Sequence, residues 1–263
     1  MLKLSLKSAA VVLALTGMAQ AAGPSFTADA VQSHPKHGTQ QGKLTVSDLG
    51  TRFEVTQQGQ TRVQIYDAVS GLTRALMPAQ KTYMEWRGGG GVPGVKPATP
   101  CPPNKQISCE KVAEETVGNV AAEKWQLRLQ QGRTAMMWWD AKRRMVVRQE
   151  ADNGQVMQMT FLGGVRLDGR DVESWRTVYQ SANGQQNQTE QYYDPAIGLA
   201  VRETFANGVV RELRNIKMVE PDPKLFQVPA GYRKIDPPRR PQGAQGQPQG
   251  RQQGRGGYPP RTQ

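Results

Sequence analysis

The stretch WWDAKRRMVVRQEADNGQV, Trp138 to Val156, recurs without a gap as YYDPAIGLAVRETFANGVV, Tyr192 to Val210. Asp140/Asp194, Val147/Val201, Arg148/Arg202, Asn153/Asn207, Gly154/Gly208 and Val156/Val210 are identical. Each copy runs from an aromatic pair through an Asp and an alternating stretch to Asn-Gly, and then into another alternating stretch. Alternation is the period of a half-buried strand, and Asn-Gly between two such runs favours a type I′ hairpin. The repeat therefore reads as strand, turn, strand. It is a unit of architecture and not a site used twice.

The pattern spreads outward from that stretch. Residues 51–67 (TRFEVTQQGQTRVQIYD) and 123–140 (EKWQLRLQQGRTAMMWWD) each place a Gly eight residues before an Asp. Tyr66-Asp67-x-x-x-Gly71-Leu72 returns as Tyr193-Asp194-x-x-x-Gly198-Leu199. Further turn signals stand at 57–59, 130–132 and 183–184. Trp125, Leu127 and Leu129 fall on one strand face, opposite Gln126, Arg128 and Gln130. Adjacent aromatics such as Trp138 and Trp139, or Tyr192 and Tyr193, must then point to opposite faces. Helical segments are expected only at Cys109–Thr116 and at Asp222–Phe226, where Pro223 suits a first turn. No solenoid or propeller period is present. The expectation is a mostly β fold: one antiparallel meander, strongly curved, with few short helices.

Such a sheet has two faces. Met145 and Val147 share one, matched by Leu199 and Val201, while Arg148 and Arg202 take the opposite face at exposed strand positions. With few helices to cover it, the apolar face either packs on a second sheet or a closed barrel, or stays open as a concave ligand cavity. The candidate lining is Leu127, Leu129, Met145, Val147, Leu199 and Val201, with core and cavity both open.

The amino terminus is expected to be a signal peptide over residues 1–21. Lys3 and Lys7 precede the apolar run Ala9 to Leu15, and Ala19-Gln20-Ala21 is a small-x-small cleavage site. That run is too short to span a bilayer as a helix, and no Cys follows the cleavage site to carry a lipid anchor. A periplasmic protein is expected, with a domain over 22–235. Its two cysteines, Cys101 and Cys109, lie in a Gly/Pro-rich loop (88–109), and in an oxidising compartment they read as a disulfide. Loop closure makes so small a ring worth about 2.5 kcal/mol at most, enough to pin a loop.

The formal charge is +12, and the tail from 236 to 263 carries five arginines, Arg239, Arg240, Arg251, Arg255 and Arg261. Rich in Gly, Pro and Gln, it cannot bury enough surface to fold. Outside the cytoplasm its available partners are anionic lipid, lipopolysaccharide or cell-wall polymer, and no nucleic acid is expected.

Catalysis has few residues to use. The only histidines are His34 and His37 (HPKH), and no G-x-S-x-G elbow, P-loop or H-E-x-x-H occurs. His34 and His37 with Met157 and Met159 form a weak Cu(I) candidate, since thioethers favour that ion. Methionine is equally an adaptable lining for apolar space. No cofactor and no enzymatic activity are expected.

Three segments carry a family resemblance: LMPAQKTYMEW (76–86), CEKVAEETVGNVAAEKWQL (109–127) and NIKMVEPDPKLFQVPAGY (215–232). They resemble secreted bacterial proteins of unknown function that look like the outer-membrane lipoprotein carrier (LolA-like) superfamily. The resemblance implies an unclosed half-barrel with an apolar concave face, binding a lipid or lipoprotein acyl chain as carrier, chaperone or sensor. The sequence departs from that pattern in its long insert at 88–105, its lack of extended capping helices and its basic tail.

Overall fold

The computed structural model describes residues 24–87, 99–101 and 107–236. The expected signal peptide and the five tail arginines lie outside the described residues. The first meander contains β1 (Phe26–His34), β2 (Gly38–Ser47), β3 (Gly50–Gln57), β4 (Gln60–Asp67), β5 (Leu72–Met77) and β6 (Thr82–Arg87). The second contains β7 (Ser108–Val117), β8 (Val120–Arg128), β9 (Thr134–Asp140), β10 (Met145–Ala151) and β11 (Val156–Leu167). It continues through β12 (Arg170–Gln180), β13 (Gln186–Asp194), β14 (Leu199–Phe205) and β15 (Val210–Met218), and β16 (Arg233–Lys234) follows.

All sixteen strands join one sheet, ordered β16-β6-β5-β4-β3-β2-β1-β15-β14-β13-β12-β11-β10-β9-β8-β7. Every neighbouring pair is antiparallel except β16 on β6. The chain steps outward from β1 to β6, reappears at the far edge as β7, and steps inward until β15 meets β1. The insert after Arg87 carries the chain from β6 to the far edge at β7, and the segment between Met218 and Arg233 carries it from mid-sheet β15 to β16 beside β6, while the other steps are short turns between adjacent strands. The sheet is not closed: β7 and β16 form its two edges. This is the mostly β, unclosed architecture expected.

The turns correct the expected chemistry. At Asn153-Gly154, Asn183-Gly184 and Asn207-Gly208 only the glycine has positive φ, so none is a type I′ turn. Each Asn side chain instead accepts from the backbone N–H two residues on, at Gln155, Gln185 and Val209. The following Gly bonds back to the carbonyl three residues before it. That is a type I turn with an αL glycine. Positive φ at both central residues occurs at Gln58-Gly59, Gly118-Asn119 and Asp168-Gly169.

The recurrent Asp performs one job in all three units. Asp67, Asp140 and Asp194 accept backbone N–H bonds from Val69, Arg143 and Ala196 at the turn each opens. Each also meets an arginine: Arg74, Arg143 and Arg170 respectively. The expected helix at Cys109–Thr116 is instead edge strand β7, paired with β8 from Ser108 to Val117. Val112, Thr116 and Val117 suit a strand, and the pairing outweighs the local Glu and Ala content. Asp222–Phe226 does form a short 3-10 turn, capped by Asp222 on the N–H of Lys224.

The sheet covers much of its own apolar surface by rolling. One cluster holds Val120, Ala122, Trp138, Val147, Met159, Trp175 and Tyr193, drawn from β8 to β13. A second joins Phe26, Ala28 and Leu44 of β1 and β2 to Val172 of β12, four strands away along the sheet. Tyr193 enters the first cluster and Tyr192 packs on the second, so the adjacent pair splits between faces. A third cluster sets Phe226 against Val63, Ile65 and Leu76, with Tyr232 beside them. The carboxy-terminal segment therefore covers the outer face of β4 and β5, and Arg52 of β3 donates to the Leu225 carbonyl on that side.

The tip of the β7–β8 hairpin closes the roll against β11. The Phe161 N–H donates to Gly118 O at 2.8 Å, and the Asn119 amide donates to Phe161 O at 3.1 Å. A Cβ at Gly118, where φ is +57°, would sit 1.9 Å from Met159 O. Gly118→Ala is expected to lower stability by about 2–4 kcal/mol, combining left-handed strain with overpacking. Urea unfolding checks this; a loss below about 0.5 kcal/mol would show that the hairpin tip does not hold β11.

Candidate functional site

Where Phe26, Ala28 and Leu44 pack on Val172 the face of β1 and β2 opposite Phe226 is covered by the roll of the sheet, but over β3–β6 that face has no covering element among the described residues. Strand register places its side chains in rows. Leu44 stands opposite Phe53, Phe53 opposite Gln64, Gln64 opposite Ala75 and Ala75 opposite Met84. The neighbouring row holds Gly42, Val55 and Arg62. A Cβ on Gly42 would lie 2.9 Å from the Phe53 ring, so the missing side chain lets that ring lie over β2.

Two cavities lie along this face. One, of about 620 Å³, runs over β14, β15, β1, β2 and β3, with Leu44, Phe53, Val55, Leu199 and Leu213 in its wall. The other, of about 700 Å³, runs over β3 to β6, with Phe53, Val55, Ala75, Met77, Met84 and Trp86. Phe53 and Val55 belong to both walls, which makes the cavities two halves of one trough. Trp86 remains 37% exposed at its far end. Glutamines 32, 40, 41, 57, 60, 64 and 80 supply much of the polar wall. An apolar floor with neutral hydrogen-bonding edges suits an amphipathic occupant.

Charge enters at Arg62, opposite Val55, and at the β14–β15 end. Glu203 of β14 and Arg211 of β15 stand opposite each other in the wall. Burial pushes the Glu203 carboxyl above its usual range, and the Arg211 charge offsets part of that rise. Burial also lifts the Tyr179 phenol, with the Glu203 charge adding to it.

The six lining candidates are placed as follows. Leu199 is in the trough wall. Val147 and Val201 lie in the first and second core clusters, and Met145 packs on the first. Leu127 is half-buried on β8 opposite Ala135 and Cys109, and Leu129 precedes the turn into β9. Arg148 is half-buried: its guanidinium lies 5.3 Å over the Trp138 ring and pairs with Glu150. Arg202 stands between Tyr192 and Glu212.

Cys101 and Cys109 are joined, with Cα atoms 6.0 Å apart, tying the end of the insert to edge strand β7. His34 and His37 stack at 4.2 Å in the β1–β2 turn, whereas Met157 and Met159 belong to the first core cluster. Among the described residues no group of three or more His, Cys, Asp or Glu converges on a metal position. No described helix is long and apolar enough to cross a membrane.

Phe53, Val55, Met84, Trp86 and Glu203 were not singled out by sequence. Their signal is apolar alternation on a strand whose other face is also occupied: Phe53 and Val55 interleave with Arg52 and Glu54.

No family model and no curated protein matches the sequence. Solved structures do align with it. A LolA superfamily protein from Nitrosomonas europaea is 12% identical, with 78% of this chain covering 90% of that one at a TM-score of 0.36. A putative outer membrane lipoprotein-sorting protein domain from Vibrio parahaemolyticus is 9% identical, with coverages of 78% and 88% and a TM-score of 0.35. MucB is 10% identical over 79% of this chain, which spans only 58% of that structure, at a TM-score of 0.32.

Proposed function

We propose that the protein binds an apolar or amphipathic ligand in the trough, as a periplasmic carrier, chaperone or envelope sensor. The observation that carries this is the shared Phe53/Val55 floor, which joins the two cavities into one mostly apolar trough from Leu199 to Trp86. Binding is by burial of an acyl chain. At about 0.8 kcal/mol per methylene, a myristoyl-length chain supplies enough free energy for roughly micromolar affinity after the cost of association. The reading needs no catalytic group.

Native mass spectrometry of protein taken from the periplasm, followed by titration with myristate, tests it. A co-purifying lipid, or uptake of one myristate per chain at about micromolar concentration, is the expected result. Protein that arrives empty and takes up no myristate overturns the reading.

A further inference from the structure

The β14–β15 end of the trough carries one polar rank. Gln191 of β13, Glu203 of β14, Arg211 of β15, Gln32 of β1 and Gln40 of β2 stand opposite one another in successive strand pairs. Arg211 is drawn toward Gln32, whose Oε1 accepts from its Nε at 2.9 Å, and its guanidinium lies 4.9 Å over the Phe205 ring. Held that way, it forms no ion pair with its neighbour. Among the described residues the Glu203 carboxylate has no hydrogen-bond or ion-pair partner. It is an acceptor left open at the edge of an apolar wall, beside Leu199 and Leu213. Its oxygens keep contact with water, and an occupant that covers this wall removes that water and must supply a donor in its place.

We propose that this rank is the head-group subsite of the trough, with Glu203 accepting a primary ammonium and Arg211 holding the adjoining phosphate of a zwitterionic amphiphile. Directly opposed residues on antiparallel strands have Cβ atoms roughly 5 Å apart, a separation that suits an ammonium and a phosphate joined by two carbons. The Arg211 Nη groups face the phosphate position, since its bond to Gln32 uses Nε. The chain of the amphiphile then lies over Leu213 and Phe53. This inference rests on the proposed lipid-binding function and adds the class of head group.

The carboxylate form is the binding form. Groups facing it are Arg211 from β15 and Tyr179 from β12; Gln191 from β13 is uncharged, and Glu212 at the same wall is tied to Arg214 at 2.5 Å. Because burial raises the Glu203 carboxyl, head-group preference fades at a higher pH than an ordinary surface carboxylate would allow.

The test compares lysophosphatidylethanolamine with lysophosphatidylglycerol of the same chain length, which shares the phosphate but lacks the ammonium. The full chain is expected to prefer the ethanolamine head by about tenfold, the scale of one charge-assisted hydrogen bond. Glu203→Gln keeps the side-chain shape but removes the charge, so it is expected to lose the preference for the ethanolamine head. Equal binding of the two lipids by the parent overturns the head-group subsite alone, as does a preference that survives in Glu203→Gln. Binding of neither lipid overturns the subsite and the lipid-binding function together.

Discussion

Replacing Arg143 with Ala is expected to cost about 3–5 kcal/mol of stability, the scale for stripping the cation from a buried charge cluster. The guanidinium holds both oxygens of Glu173, with Nε at 2.7 Å and Nη2 at 2.9 Å, and Nη1 reaches Asp140 Oδ2 at 2.7 Å. The guanidinium sits beside two rings that touch each other, 5.1 Å over Trp175 and 5.4 Å over Phe161. The hydrogen bonds to Glu173 raise the Arg143 pKa further above its ordinary value, with Asp140 adding to the rise. Asp140 is only 2% exposed, so deleting the guanidinium leaves two carboxylates without their shared counter-charge and empties space beside Trp175. Arg143→Lys keeps the charge but not the forked geometry, and should fall between the parent and the Ala variant. The exposed pair Arg166–Asp171 serves as control, since its side chains are 67% and 87% exposed; Arg166→Ala should change stability by less than about 0.5 kcal/mol. Urea midpoints measured on the three variants decide the matter. Equal losses for Arg143→Ala and Arg166→Ala would mean the cluster contributes no more than a surface ion pair.

That cluster also shows what could be read before any coordinates. The recurring Asp was visible in the repeat, and so was its place at a turn, because Asp opens turns by accepting backbone N–H groups. Its arginine was not: Arg143 lies three residues on, whereas Arg170 reaches Asp194 from another strand. Pairing across strands depends on register, which local sequence does not carry. The Asn-Gly turns failed for a related reason. The dipeptide suits more than one turn, and an Asn side chain that bonds to the second residue beyond selects type I. Edge strand β7 was misread as helix because Glu and Ala favour helices locally, while its pairing with β8 is a tertiary matter.

The trough was hidden by the same limit. The repeat puts four of the six lining candidates on β10 and β14, where the sheet rolls onto itself and encloses Val147 and Val201. In the first meander both faces carry apolar residues. A single carboxy-terminal segment covers one of them, with Phe226 on Val63, Ile65 and Leu76. The opposite face is covered by the roll at β1 and β2 and left open over β3 to β6. Apolar content on both sides of β4 and β5 was legible, but which side the ending would cover was not.

Val55→Asp puts that arrangement to its sharpest test, because Val55 stands in the wall of both cavities. A carboxylate there is hydrated while the trough is empty and loses that water when an acyl chain covers it. It replaces contacts worth two or three methylenes, about 2 kcal/mol, so affinity for an acyl probe should fall roughly thirtyfold. Val55 is half-buried and not part of any core cluster, so the fold should survive with a modest loss of stability. Glu54→Gln is the matching control. Glu54 lies one residue away on the opposite strand face, paired with Arg52 at 2.6 Å and turned toward the side that the carboxy-terminal segment covers. A trough reached only from the inner face predicts thirtyfold weakening at one position and none at the next. Tryptophan fluorescence with Trp86 at the trough's end, or titration calorimetry, reads both. Equal effects at 54 and 55 would place the bound chain elsewhere, since a strand turns successive side chains to opposite faces.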